Sequence, residues 1–119
     1  MIERVKLSAA AKQQLITLKR RTGIEHYNVI CRHALCVSLA NPSKVPDETM
    51  QFSNGIEIDW GTFAGEAQDT YLNLLITRCM IDGGECSAQT VRQALTLHLH
   101  RGLSYLASRP LTLLSFMSH

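Results

Sequence analysis

The first residues alternate loosely between apolar and charged side chains. Over Ile2–Leu7, Val5 and Leu7 fall on one side and Arg4 and Lys6 fall on the other. Successive side chains of a strand point to opposite faces, so this period of two favours a short strand or extended arm. We expect one face of the arm to be buried and its cations to face solvent.

Two helices are predicted after the arm. Strong helix formers fill Ala9–Arg21, Ser8 is a favourable N-cap, and Gly23 suits the position just past the helix end. Apolar residues at three- and four-residue spacing predict a second helix over His26–Ala40, which ends before Pro42 because the residue preceding a proline avoids the helical region. The connection is short, so we expect the two helices to pack as neighbours.

An Asn-Gly turn signal predicts a β-hairpin over residues 50–60. A three-residue loop places Phe52 opposite Ile56 on one apolar face, whereas a two-residue loop places Phe52 opposite Glu57. We therefore expect the three-residue loop, with Gly55 in the left-handed position of a bulge.

The C-terminal half predicts two more helices and an apolar tail. Glu66–Asp82 is apolar nearly all round, which is typical of a helix buried on more than one side. Ser87 caps a fourth helix that runs to about Ala107, and Leu111–His119 follows as a tail too apolar to lie in water. These apolar surfaces exceed what four helices can cover, so we expect subunits to pack together.

The composition fits one compact domain over residues 1–119, mainly α-helical with a short N-terminal strand and one small hairpin. The chain has 119 residues, of which 45% are hydrophobic and 18% are charged, which excludes disordered and fibrous proteins. No stretch approaches the roughly 18 apolar residues of a membrane span, and the N-terminus does not resemble a signal peptide. We expect a cytoplasmic protein without a membrane partner, whose four cysteines are reduced thiols.

Charge is unevenly distributed along the chain. The total is only +2, but residues 1–33 carry seven cations and two carboxylates, a net charge of +5, whereas residues 34–66 have a net charge of −4. Such an imbalance indicates that the N-terminal third binds anions.

The other candidate residues do not form a catalytic or metal site. The cysteine spacings suit no zinc chelate, so we interpret Cys31 and Cys79 as small buried hydrophobes and Cys86 as the one thiol with possible reactivity. His98 and His100 would point apart on a helix, so they are expected at a surface or an interface. Nucleotide-binding and hydrolase motifs are missing, so we predict no cofactor, no metal, no catalytic residue and no enzyme.

Cations on the first helix are candidates for binding phosphate. Lys12, Lys19 and Arg20 share a stripe with Ile16, next to the apolar stripe of the helix, while Arg21 points elsewhere. Such stripes bind the DNA backbone through counterion release, and the turn at residues 22–23 offers backbone N–H groups as further donors. The alternative is that these cations merely solvate a surface helix. A symmetric assembly would repeat the patch and favour the first interpretation.

Four blocks of sequence carry a resemblance to a known family. They are LKRRTGI at residues 18–24, NVICRHAL at residues 28–35, FAGE at residues 63–66 and HLHRGL at residues 98–103. Together they resemble the DndE family, over most of the chain from Ile2 to about Tyr105. That family belongs to the bacterial system that replaces a non-bridging phosphate oxygen of DNA with sulfur.

The resemblance implies a small, mainly helical homotetramer that binds DNA, prefers nicked duplex and works beside the other proteins of the DNA sulfur-modification complex. Carried over to this chain, the DNA contacts are expected at Lys12, Lys19, Arg20, Arg21 and Gly23. For Arg32 two roles are open, a further DNA contact or an ion pair with Glu25 or Glu66 that holds the fold.

Two alternatives remain open. A thiol protein would accept sulfur as a persulfide on Cys86 or Cys31 and pass it on. A ribbon-helix-helix repressor would pair its N-terminal strand with that of a second subunit, so that Arg4 and Lys6 face the DNA.

Overall fold

The computed structural model describes residues 2–109 and shows a mainly helical fold with one two-stranded antiparallel sheet. Two elements at the start of the second half are short, namely a five-residue helix and the 3₁₀ turn Gly65–Ala67 that follows it. In chain order, the strands and helices are β1 Arg4–Leu7, α1 Ala9–Thr22, α2 Tyr27–Ala40, β2 Ile56–Asp59, α3 Trp60–Ala64, α4 Gln68–Ile81 and α5 Ala88–Ala107.

Both ends of α1 are fixed by the residues that the sequence indicates. The Ser8 side chain accepts a hydrogen bond from the Ala11 N–H at 3.1 Å, and Gly23 adopts a left-handed conformation at φ 75°. The Gly23 N–H donates to the Lys19 carbonyl at 2.9 Å, which satisfies one of the free carbonyls at the helix end. The predicted arm, α1, α2 and α5 are all confirmed within two residues at each end.

The predicted hairpin is wrong. β2 pairs antiparallel with β1 and not with residues 50–52, and Val5 lies opposite Ile58. β1 offers β2 a buried apolar face, since Val5 and Leu7 lie in the core, whereas Phe52 is 40% exposed. The turn before β2 does form, but Asn54, at φ 61°, is its left-handed residue.

Gly55 is required for a different reason, which is the close approach of two backbones. A Cβ atom at this position would lie 1.8 Å from the carbonyl oxygen of Leu7, far inside van der Waals contact. The missing side chain therefore lets the chain enter β2 directly against β1.

The core lies between α2, α5, α1 and the inner face of the sheet. The backbones of α2 and α5 approach closely at Gly102, where an added Cβ would lie 1.9 Å from the Ala34 carbonyl oxygen. The largest fully buried side chains are Phe63, Leu7, Leu15, Leu18, Ile30, Leu35, Leu75, Leu95, Leu99, Leu103 and Leu106.

α4 is not buried on more than one side, contrary to the prediction for Glu66–Asp82. Leu75 and Arg78 are its only buried residues, while Leu74, Met80 and Ile81 are 44%, 65% and 75% exposed. α4 begins at Gln68 because α3 and the 3₁₀ turn precede it, and it packs on α5 and α3 with one face only. Part of the apolar surface of α4 is therefore left exposed by this single chain.

The last long helix, α5, begins as predicted. The Ser87 side chain accepts a hydrogen bond from the Thr90 N–H at 3.2 Å, and the helix continues for 20 residues. The predicted apolar tail, Leu111–His119, lies outside the described residues. Within residues 2–109, no helix has the length and apolar character needed to cross a membrane.

Candidate nucleic-acid interface

The outward side of α1 carries three cations, Lys12, Lys19 and Arg20, which we call the basic face. Lys19 and Arg20 are exposed and Lys12 is half-buried, and they surround Ile16, which is 37% exposed. The opposite stripe of α1 is buried in the core, so the helix presents this side to solvent. None of the three cations forms an ion pair within 4.0 Å in the described part of the chain.

Lys19 also contacts the start of α2. Its Nζ lies 5.4 Å from the centre of the Tyr27 ring, a distance at which a cation and an aromatic face attract each other. This contact places the exposed Lys19 side chain near the junction of α1 and α2.

Arg21 does not belong to the basic face. Its Nη1 donates to the carbonyl oxygens of Ala107 and Arg109, at 3.1 Å and 3.2 Å. The guanidinium therefore caps the C-terminal end of α5, where free carbonyls and the helix dipole favour a cation. The sequence correctly indicates that Arg21 points away from the other three cations, but does not reveal this partner.

The turn at Gly23 has no free backbone N–H group at residues 23 and 24. The Gly23 N–H is used by the Lys19 carbonyl, and the Ile24 N–H donates to the Thr22 hydroxyl at 3.2 Å. The Gly23 N–H could donate to a phosphate, as expected from the sequence, only if its hydrogen bond to the Lys19 carbonyl were broken. Gly23 contributes to the surface by ending α1 next to Arg20.

Arg4 and Lys6 lie on the solvent face of the sheet, opposite carboxylates. Arg4 faces Asp59 and Lys6 faces Glu57 across the strands, and Arg4 Nη1 lies 3.6 Å from Glu57 Oε2. The fold thus brings part of the acidic middle segment against the basic arm. The excess positive charge of residues 1–33 is concentrated on α1 as a result.

The sheet also bears on the ribbon-helix-helix alternative. That class pairs its N-terminal strand with the same strand of a second subunit. Here β1 pairs with β2 of its own chain through residues 4–7. The intramolecular pairing occupies one edge of the strand, which argues against a ribbon-type repressor.

Arg32 holds the fold, but through a different partner from the one expected. Its Nη1 donates to the Phe63 carbonyl oxygen at 3.2 Å, and no ion pair with Glu25 or Glu66 forms among residues 2–109. The side chain thereby ties α2 to α3.

Arg78 is one of two arginines that the sequence analysis missed. Its guanidinium donates to the carbonyl oxygens of Leu39, Asn41 and Ser43, at 2.9, 2.7 and 2.8 Å, and Nε pairs with Asp82 at 3.1 Å. Arg78 is buried, although it stands in an otherwise apolar run. A single arginine within such a run is the signal that indicates a buried partner.

Arg101 joins Arg78 in holding the end of α2, and we call the pair the guanidinium clamp. Arg101 donates to the Ser38 and Ser43 carbonyl oxygens, each at 2.7 Å, and its Nε donates to the Ser38 hydroxyl at 2.8 Å. These bonds tie the last turn of α2 and the loop that follows it to α5.

The two histidines of α5 are not surface residues as predicted. His98 is buried, and its Nδ1 lies 2.8 Å from the Ser38 hydroxyl. His100 is half-buried, and its Nε2 accepts from the Ser8 N–H at 3.1 Å while Nδ1 bonds the Thr96 carbonyl at 2.7 Å. Burial, aided by Arg78 and Arg101, lowers the pKa of His98 to about 4. Burial also lowers the pKa of His100.

Comparison with known proteins gives the family. The sequence profile of DndE, described as DNA sulphur modification protein DndE, matches residues 4–112. The chain belongs to the DndE family. Comparison with curated proteins gives no match.

Two solved DndE structures have a similar fold. The crystal structure of DndE from Escherichia coli B7A, involved in DNA phosphorothioation modification, is 22% identical with a TM-score of 0.72, over 89% of this chain and 97% of that one. A DndE mutant in which two glycines are replaced by lysine, involved in DNA phosphorothioation, is 20% identical with a TM-score of 0.68, over 92% of this chain and 100% of that one.

The cysteines of this DndE-family chain differ in access. Cys31 is fully buried, and burial raises the pKa of its thiol to about 12, so it is a poor sulfur acceptor. Cys79 is half-buried, so its expected burial is partial. Cys86 is exposed. Among residues 2–109, no three His, Cys, Asp or Glu side chains group closely enough to hold a metal ion.

Proposed function

We propose that this protein is a DNA-binding accessory subunit of DNA phosphorothioate modification, one that holds the phosphate backbone on its basic face and performs no catalytic step. The observation that carries the proposal is the arrangement of Lys12, Lys19 and Arg20 on one exposed side of α1 without carboxylate partners in the described chain. Membership of the DndE family supplies the DNA-modification context.

The binding energy of such a face comes mainly from counterion release. Each cation that neutralises a phosphate displaces condensed salt from DNA, so the affinity falls steeply with ionic strength. Contacts of this kind fix position and orientation on the duplex but do not read the base sequence. Binding is therefore expected to be independent of sequence.

A preference for nicked duplex follows from the same chemistry. A broken strand bends and opens at lower cost than an intact one, so a fixed array of cations can contact more phosphates at a nick. Discrimination then rests on deformability and needs no base contacts.

The proposed assembly is a homotetramer, and the exposed apolar side of α4 supports self-association. Leu74, Met80 and Ile81 are large apolar residues that the single chain leaves open to solvent. A symmetric assembly that covers them would also repeat the basic face once per subunit. Other proteins of the sulfur-modification complex are the remaining proposed partners.

Fluorescence anisotropy with intact and nicked duplexes at several salt concentrations tests the proposal. Replacing Lys12, Lys19 and Arg20 together by Ala is expected to weaken binding at least tenfold and to lower the salt slope by up to about three ions per subunit. Lys44→Ala is the matched control, because Lys44 is an exposed lysine outside α1. Arg21 is left out of this variant because its guanidinium caps α5.

Two results would contradict this function. Wild-type protein that binds no DNA at low salt would make the basic face an ordinary solvated surface. Binding that the triple variant retains with an unchanged salt slope would place the DNA elsewhere on the protein. Circular dichroism of the triple variant shows whether its helical content is unchanged.

The exposed thiol of Cys86 supports a second candidate, a persulfide relay. That function predicts that Cys86→Ser abolishes DNA phosphorothioation in cells while DNA binding stays at the wild-type level. Full modification by the Cys86→Ser variant would exclude this role.

A further inference from the structure

A second cationic surface lies outside the basic face, in an open groove of about 470 Å³ between β1, residues 48–52 and α5. Three of its lining residues are cations, Arg4, Lys6 and Arg92, and one is a carboxylate, Glu48. Among the lining side chains the cations outnumber the carboxylates by two, and Glu57 and Asp59 lie across the sheet from Lys6 and Arg4. The volume of the groove falls within the range of about 300 to 1,000 Å³ that is typical of small-molecule sites.

The groove also has apolar walls and an aromatic ring. Met50 and Leu97 contribute to its lining, and Phe52, which also lines it, is 40% exposed. The Phe52 ring meets the His100 ring edge to face, with centroids 6.4 Å apart, so its orientation is supported from one side.

We infer that this groove binds one single-stranded nucleotide of DNA, such as a strand end that frays at a nick. The base packs on Phe52 and Met50, and the phosphate lies among Arg4, Lys6 and Arg92. This inference rests on the proposed function and deepens it, because the basic face then holds the duplex while the groove receives the freed strand end.

The combination of an exposed aromatic ring with several cations favours a nucleotide over other anions. Sequence-independent binding of single strands pairs a basic groove with aromatic side chains on which bases stack. A simple phosphate would need the cations alone and would leave Phe52 without a role.

The existing contacts of the groove are compatible with binding. The Arg4–Glu57 pair is 3.6 Å long with both side chains about half-exposed, so exchange of the carboxylate for a phosphate costs little. Residues 48–52 are held beside α5, since Gln93 Nε2 donates to the neighbouring Asp47 carboxylate at 2.9 Å.

The test compares two nicked duplexes by fluorescence anisotropy. One carries a two-nucleotide thymidine flap at the nick, and the other carries a flap of the same length with abasic sites. Wild-type protein is expected to bind the thymidine flap more tightly by about tenfold, because stacking of one base on an aromatic side chain is of that size.

Variants locate the effect. Phe52→Ala is expected to remove the preference for the thymidine flap while leaving the affinity for a flush nick within about twofold. Arg92→Ala is expected to weaken binding of both flaps. Lys44→Ala is the matched cationic control, since Lys44 is exposed and does not line the groove.

Glu48→Gln is a variant that should strengthen flap binding, whereas the other variants should weaken it. Removal of the one carboxylate that lines the groove is expected to tighten flap binding by about two- to threefold at low salt, a gain that mere loss of structure would not produce.

The outcomes separate this inference from the proposed function. Equal binding of thymidine and abasic flaps, or an unchanged preference in Phe52→Ala, overturns the groove while leaving DNA binding by α1 intact. Loss of flush-nick binding only in the α1 triple variant supports the proposed function by itself. Absence of all DNA binding in the wild type overturns both.

Discussion

The basic face and the guanidinium clamp use the same kind of side chain for opposite purposes. Lys12, Lys19 and Arg20 lie on the outside of α1 with no carboxylate within ion-pair distance among the described residues. Arg78 and Arg101 each donate to two or more backbone carbonyls at the end of α2. The first group remains available for phosphate, and the second is consumed by the fold.

The difference shows why cations must be judged by their partners and not by their number along the chain. Removing one partner of a buried ion pair costs on the order of 3–5 kcal/mol of stability, because the other charge is left buried without a partner. An exposed cation loses almost nothing when its surroundings change. Variants of the guanidinium clamp should therefore lose more stability than variants of the basic face. Variants of the basic face should lose more DNA affinity than variants of the clamp.

The largest effect on stability is expected for Arg78→Met. The variant removes three hydrogen bonds to backbone carbonyls and leaves the Asp82 carboxylate without its ion-pair partner, so the free energy of unfolding should fall by about 3 kcal/mol. Urea denaturation followed by circular dichroism measures this loss.

Asp82 provides the control for that variant. Arg78→Met combined with Asp82→Asn removes the orphaned charge and should recover part of the lost stability. A single variant that unfolds at the wild-type urea concentration would show that the clamp does not stabilise the fold.

Lowering the pH should destabilise the protein through protonation of His98, which lies beside the guanidinium clamp. The neighbours of this ring are Ser38, Arg78, Arg101 and Asp82, and its pKa in the folded state is about 4, below the ordinary 6.5. A depressed pKa means that the stability due to neutral His98 is present above pH 6.5 and is lost as the pH falls towards 4. Between pH 7 and pH 5 this loss should be about 2 kcal/mol.

The measurement is urea denaturation at both pH values for the wild type and His98→Gln. The wild type should lose about 2 kcal/mol more than the variant between pH 7 and pH 5, because carboxylate titration is common to both. Equal losses in the two proteins would mean that His98 binds a proton in the folded state as readily as in the unfolded chain.

Arg21→Ala should give an intermediate result, because this residue belongs to the charged N-terminal third yet caps α5. Loss of two exposed hydrogen bonds to Ala107 and Arg109 should lower the free energy of unfolding by about 1 kcal/mol. Its effect on DNA affinity should be smaller than that of Lys19→Ala. An Arg21→Ala variant of wild-type stability that loses most DNA affinity would move Arg21 into the interface.

The smallest effect on stability is expected for Lys12→Ala and Arg20→Ala. Neither side chain has an ion-pair partner in the region that the structure describes, and alanine favours helices, so unfolding should change by less than about 0.5 kcal/mol. Thermal unfolding checks this, and anisotropy on nicked DNA should show weaker binding for each. A large loss of stability in either variant would show that the cations of the basic face hold the fold, as Arg78 and Arg101 do.

Much of the fold and part of the site follow from the sequence alone. Ser8, Gly23 and Ser87 determine where α1 and α5 begin or end, because their side chains or backbone satisfy groups of adjacent residues. The helical period likewise separates Lys12, Lys19 and Arg20 from Arg21. Such features depend on residues within one or two turns of each other.

Only the tertiary structure decides how distant segments meet. It pairs β2 with β1 in place of residues 50–52, buries His98 against Ser38, and sets Glu57 and Asp59 across from Arg4 and Lys6. It also uses Arg78 and Arg101 to bind α2 while leaving the outer side of α1 open. Local patterns cannot specify these choices, because hydrogen bonding and burial depend on partners that lie 35 to 63 residues away in sequence.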